Sequence, residues 1–288
     1  MSSKRNTQCF FISDLHGKRE RFEKLFAAVK KEKPGTIFIG GDILPHAMST
    51  EFGHEGFLNG YLFNELENLR KDLGESYPRI FAILGNDDGR YDEQAMTEAS
   101  KKGLLSYIHG KNTEHLGLRV FGYSYIPPTP FQLKDWERYD VSRYVDPGCI
   151  SPEEGIRSTP ANKDDLKYGT ISVDLEKLTE GFDLKNTIFL FHAPPYRTDL
   201  DRAALDGMKV DHAPLDVHVG SIAVSRFIEE KQPLLTLHGH IHESAAITGS
   251  WKCHIGKTLA ITAAHDGPEL ALVRFDLEKI EEASRELI

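Results

Sequence analysis

The chain has 288 residues, 40% of them hydrophobic and 27% charged, and its 35 lysines and arginines against 44 aspartates and glutamates give a formal charge of −9. This is the composition of a folded chain large enough to bury a core without disulfides, and it excludes a mostly disordered one. The net negative field disfavours non-specific nucleic-acid binding, and no apolar run approaches the roughly 18 residues of a membrane span.

The basic start, MSSKRNTQ, leads into an apolar run that ends at Ser13 and Asp14, too short for a signal-peptide core. Gln8–Ser13 reads as a strand. Lys18–Lys33 places Phe22, Leu25, Phe26 and Val29 at helical spacing and stops at Pro34-Gly35. Thr36–Gly40 is a second strand, followed by a helix around Leu58, Leu62, Leu66, Leu69 and Leu73 that Gly74 caps. Arg79–Leu84 is a third strand and Leu118–Gly122 a fourth. This alternation predicts stacked βα units and a largely parallel sheet.

From about residue 126 to 168 neither period lasts, and prolines 127, 128, 130, 147, 152 and 160 interrupt the chain. We read this stretch as an excursion over one face of a single domain spanning 1–288. Its Trp136, Tyr139, Tyr144 and Tyr168, set among Arg138, Arg143 and Arg157, either stack on a substrate base or merely pin the loop. Thr187–Phe191 then reads as a strand, Ser221–Glu230 as a helix and Leu234–Leu237 as a strand. Runs near 245–248, 258–263 and 269–276 predict an antiparallel finish.

The chemistry sits at the strand ends. Asp14-Leu15-His16-Gly17 comes after the first strand, Gly40-Gly41-Asp42 after the second and Gly85-Asn86-Asp87-Asp88 after the third. His192 comes after the strand at 187–191, and His238-Gly239-His240-Ile241-His242 after the one at 234–237. In open α/β sheets ligands bind at the carboxyl ends of strands, so these residues are expected to converge. Carboxylates, one amide and imidazoles suit Mn²⁺, Fe, Zn²⁺ or Mg²⁺ without thiolate. Asp14, His16, Asp42, Asn86, His192, His240 and His242 are too many for one tetrahedral ion and match two ions sharing a carboxylate. Gly41, Gly85 and Gly239 let the backbone turn beside these donors. Cys9, Cys149 and Cys253 are isolated and argue against a disulfide framework or a zinc ribbon, which points to the cytoplasm. A phosphate loop is excluded because Trp251 stands where its first glycine is needed, and neither H-E-x-x-H nor G-x-S-x-G occurs.

The series D-x-H, G-D, G-N-x-[DE], H and G-H-x-H, in FFISDLHG, IFIGGDI, AILGNDD, FLFHAPPY and LLTLHGHIHES, resembles the calcineurin-like metallophosphoesterase superfamily. The run HVGSIAVSRFIEEKQP is similar to bacterial Icc-like phosphoesterases. The resemblance implies an α/β fold, a four-layer αββα sandwich of two mixed sheets. It implies Asp14, His16 and His242 on one divalent ion, Asn86, His192 and His240 on the other, and Asp42 on both, with Mn²⁺ as the expected metal. The implied activity is hydrolysis of a phosphodiester or nucleotide-like phosphate ester by a hydroxide shared between the ions. A phosphomonoesterase or protein phosphatase, or a non-catalytic binding scaffold of the same fold, are the alternatives. Asp42, Asn86, Asp87 and His192 are the candidate catalytic residues, Arg90 and Arg197 the candidate substrate contacts, and His238, one residue outside the motif, is read as a supporting or structural residue and not a ligand.

One position departs from the pattern. The family's third motif usually carries a histidine, commonly assigned to protonate the leaving group, where this chain has Asp87. An aspartate near two cations is expected to stay ionised, making a poor proton donor. The substrate then has a good leaving group, or His212, His218 or His54 supplies the proton, or Asp87 binds metal or substrate itself. Lower activity on alkyl monoesters is expected. The segment Asp199-Leu200-Asp201 reads as a solvated turn, with a role in specificity as the alternative.

Overall fold

The computed structural model describes residues 6–45 and 54–288, without the side chains of residues 54 and 55; the basic first five residues and the His54 side chain lie outside it. Fourteen strands are described: β1 (Gln8–Ile12), β2 (Thr36–Gly40), β3 (Arg79–Ile83), β4 (Ser106–Tyr107), β5 (Lys111–His115), β6 (Leu118–Tyr123), β7 (Thr187–Phe191), β8 (Lys209–Val210), β9 (Ala213–Pro214), β10 (Leu235–His238), β11 (Lys252–Ile255), β12 (Thr258–Thr262), β13 (Ala271–Asp276) and β14 (Ser284–Leu287). Two six-stranded sheets carry the fold, ordered β14-β13-β1-β2-β3-β4 and β11-β12-β10-β7-β6-β5. Each is mixed: the first is parallel from β1 to β4 with β13 and β14 joined antiparallel at one edge, and the second is parallel from β12 to β6 with antiparallel β11 and β5 at its two edges.

Alternation along each strand explains the sandwich. Cys9, Phe11, Phe38, Phe81 and Ile83 of the first sheet meet Ile188, Leu190, Leu235, Leu237, Leu259 and Ile261 of the second in one buried layer. The intervening Phe10, Ile12, Ile37, Ile39, Ile80 and Ala82 belong instead to a cluster with Phe22, Leu25 and Val29 of the helix Arg19–Glu32 and with Leu66 and Leu69 of the helix Phe63–Leu73. On the far side Phe189 and Phe191 join Val224, Phe227 and Ile228 of the helix Ile222–Lys231. Strands covered on both faces need apolar side chains at every position, so they read as continuous runs.

Register brings the strand ends level. Ile12 pairs with Ile39 and Gly40 with Ile83, which sets Asp14, Asp42 and Asn86 side by side beyond the first sheet. In the second sheet Leu190 pairs with Leu237, placing His192 and the loop after β10 at the same edge.

Three readings need correction. Residues 244–248 form a short helix ended by Gly249 in the left-handed region, not a strand, and the pairing strand is β11. Within the finish, β12 runs parallel to β10. The excursion is not wholly irregular either: Lys163–Tyr168 is helical because the Asn162 side chain accepts the Asp164 and Asp165 amides. The leucine-spaced helix begins with a wider turn over Leu58–Leu62 before Phe63–Leu73, and Gly74 caps it with φ of 52°.

The excursion is built into the body. Trp136 is fully buried and Tyr139 nearly so, which favours the pinning role for these two rings, while Tyr144 and Tyr168 are exposed. Arg138 pairs with Asp174 and Asp165 and lies over the Tyr125 ring, and the Asp140 carboxylate accepts from Ser221, Ile222 and Ala223 at the start of a helix.

Candidate metal centre

The donors gather where the sheets' carboxyl ends meet. The side-chain donor atoms of Asp14, His16, Asp42 and His242 lie within 4.8 Å of one another, and so do those of Asp42, His192 and His240. Asp42 belongs to both groups. Asp14 and His242, 228 residues apart in the chain, are 3.2 Å apart through Oδ1 and Nε2. Asn86 joins the second group, its Oδ1 lying 3.0 Å from His192 Nε2.

The backbone is bent hard to achieve this. Asp14, His16, Asp42 and His240 all have positive φ, from 48° to 75°, a region that costs a residue with a Cβ on the order of 1 kcal/mol. Four proposed ligands share this sparsely populated region, which requires the surrounding structure to hold them there. Backbone bonds hold it: the Asp14 amide donates to Gly41, the His16 amide to Asp42 and the Gly17 amide to Ile43. Gly85 and Gly239 are also required, for a Cβ on Gly85 would lie 2.3 Å from Asp42 Oδ1 and one on Gly239 2.8 Å from Asp14 Oδ2.

Three buried groups complete the frame; sequence reasoning assigned no role to Asp88 or Arg21, and set His238 outside the motif as a supporting or structural residue. Asp88 is fully buried and accepts from the amides of Gly85, Ile43 and Leu44, lashing the third strand's loop to the second's. Arg21 is buried beneath the site, and its guanidinium donates to the carbonyls of Asp14, His265 and Gly267. A helical-face arginine gives no sequence signal for such a role. His238 is fully buried between Ala193 O and Thr236 Oγ1 and stacks on Phe191, which makes it structural; burial holds its pKa down at about 4.

Carboxylates and imidazoles compensate one another's charge in this cluster. Burial alone would favour protonated carboxyls at Asp14 and Asp42. The facing imidazoles overcome it: contact with His242 brings Asp14 to about 2, and His192 holds Asp42 well below the usual range. Burial likewise opposes charge on His192, but Asp42 raises it to about 10, whereas burial followed by His192 holds His240 at about 3. His192 Nδ1 faces Gly40 O at 2.8 Å, and as a donor there it leaves Nε2 free to ligate.

The donors fit divalent metal. Asp14 Oδ2 is buried with no hydrogen-bond partner among the described residues, and His16 Nε2 and His242 Nε2 face each other at 3.1 Å. A cation replaces the protons that such a cluster would otherwise have to share.

The remaining candidates lie in different settings. Arg90 donates to Tyr125 OH, pairs with Glu93 and covers the Trp136 ring. Arg197 is exposed, with φ of 58° and its guanidinium 5.3 Å over the Tyr196 ring. Its amide is held by Asp201, which is fully buried and also accepts from Thr198, Gly220 and His218, so the solvated-turn reading fails for this residue. His218 is thereby occupied at Nδ1, and His212 lies in the turn between β8 and β9. Among the described residues no helix is long and apolar enough to cross a membrane.

The fold is shared with solved structures. A Thermus thermophilus protein aligns at 18% identity with a TM-score of 0.54 over 98% of each chain. A dimetal phosphatase from Danio rerio aligns at 12% identity with a TM-score of 0.50, covering 94% of this chain and 92% of its own. An uncharacterised protein of Methanocaldococcus jannaschii is 36% identical over 81 residues, which span 27% of this chain and 31% of that relative. Residues 9–244, which include every donor named above, match the sequence profile of the calcineurin-like phosphoesterases, and the chain belongs to that family.

Proposed function

We propose that this chain is a dinuclear metal-dependent phosphoesterase acting on a phosphodiester or nucleotide-like phosphate ester of small-molecule size. The observation that carries the reading is Asp42, whose single carboxylate lies within donor range of two separate groups of ligand atoms. Asp14, His16 and His242 would hold one ion, Asn86, His192 and His240 the other, and Asp42 would serve both. A pair of divalent ions held there would supply an activated water and charge stabilisation for attack on a phosphate ester.

The chain's own groups do the rest. The Gly40 carbonyl and the Asp42 carboxylate orient His192 from opposite sides. The Asp87 amide donates to Asp42 Oδ1 at 2.9 Å, leaving Oδ2 towards His16 and His192. Arg197 offers an exposed cation five residues beyond His192 in the chain, suited to an anionic substrate. Oxygen and nitrogen donors without thiolate favour Mn²⁺, with Fe or Zn²⁺ as substitutes. The Icc-like assignment rests on the run His218–Pro233, and the cytoplasmic one on three free cysteines.

The test is metal content together with hydrolysis. Protein loaded with Mn²⁺, Fe or Zn²⁺ should hold two ions per chain and cleave bis(p-nitrophenyl) phosphate faster than p-nitrophenyl phosphate. One ion or none at saturating metal overturns the dinuclear site, and a faster monoester overturns the diester preference.

A further inference from the structure

Asp87 stands where the family usually has histidine, and the structure shows it touching one residue from each metal group. Its Oδ2 lies 3.5 Å from His16 Nδ1, its Oδ1 accepts from Asn86 Nδ2 at 3.0 Å, and its amide donates to Asp42. Its side chain is only 17% exposed, so these contacts are screened from bulk water.

We propose that Asp87 is a positioning residue for both ions, in place of a leaving-group acid. The inference rests on the dinuclear reading above. A carboxylate facing His16 Nδ1 favours the proton on that nitrogen and leaves the Nε2 lone pair towards His242 and Asp42. Accepting from Asn86 Nδ2 fixes the amide the other way round, with Oδ1 towards His192. Without Asp87 the two orientations of that amide are nearly equal in shape. An imidazole at position 87 has one acceptor nitrogen at most and cannot serve both neighbours.

The experiment compares wild type, Asp87→Ala and Asp87→Asn by equilibrium dialysis against Mn²⁺ and by visible absorption after Co²⁺ loading. Asp87→Ala should weaken both ions by roughly 10–100-fold. Asp87→Asn can still accept from Asn86 with its one oxygen but turns an N–H towards His16. It should weaken only the ion held by Asp14, His16 and His242, and alter the cobalt spectrum of that site alone. Asparagine is isosteric, so it carries the test if the alanine variant does not fold. Wild-type affinity for both ions in the two variants, with turnover collapsed, overturns the positioning role and assigns Asp87 to the substrate. A wild type that binds no pair of ions overturns the dinuclear reading itself, a different result from variants that match a two-ion wild type.

Discussion

The strand-end cluster and the excursion over residues 126–168 both bury carboxylates, and they differ in whether the chain satisfies all of them. In the excursion every buried acid is met by donors of the chain itself. Glu137 takes the Thr129 amide and hydroxyl and the Lys134 ammonium, Asp135 takes the Arg90 and Ser158 amides, and Asp140 caps a helix. At the strand ends Asp14 keeps one oxygen with no hydrogen bond among the described residues, and its neighbours are other proposed ligands on strained backbone. Burial of an acid therefore says little about chemistry; the identity of its partners decides.

That contrast makes substitutions separable. The largest effect should come at the shared ligand: Asp42→Ala should lose both ions and lower kcat/KM by at least about 10³-fold, or roughly 4 kcal/mol, while the metal-free chain keeps its fold by circular dichroism. Retention of one tight ion would show that the two groups are independent. Glu137→Ala leaves the Lys134 ammonium buried beside a void, and both side chains are 0% exposed. It should cost about 3 kcal/mol in urea unfolding yet leave the two-ion stoichiometry of the folded fraction intact. Loss of metal from folded Glu137→Ala protein would erase the distinction between the regions.

The smallest effect is a pH slope at their border. The His109 ring lies against Tyr125 and Trp136, and burial, then Arg90 and Arg138, hold it down to about 3. Its folded pKa is depressed, so its contribution is complete above the unfolded value of about 6.5 and is lost as pH falls towards the folded one. Wild type should lose up to about 1.4 kcal/mol per pH unit in that window relative to His109→Gln. Parallel stability curves for the two proteins between pH 6 and pH 4 would show that the ring does not stay neutral.

How far the sequence revealed this structure depends on chain distance. The convergence of the proposed ligands was legible because each comes shortly after an apolar strand, and parallel register carries strand ends to one edge whatever lies between. The frame behind them was not. Asp88 looks like the second half of a motif, and only the tertiary fold shows three amides from two strand loops meeting on it. Arg21 is one charged residue on an amphipathic helix, and the carbonyls it serves are 7 to 246 residues away. Ala245-Ala246-Ile247-Thr248 misled because its β-branched end resembles a strand, whereas Gly249 closes a short helix. Asn162 did carry a cap signal, hidden by the proline-rich surroundings.

Arg21 has an implication for how distant changes reach the site. It binds the Asp14 turn to residues 265 and 267, and β1 pairs with β13 as well as β2. Displacing the loop that carries residues 265 and 267 is therefore expected to be felt at the Asp14 turn, although the two are remote in the chain.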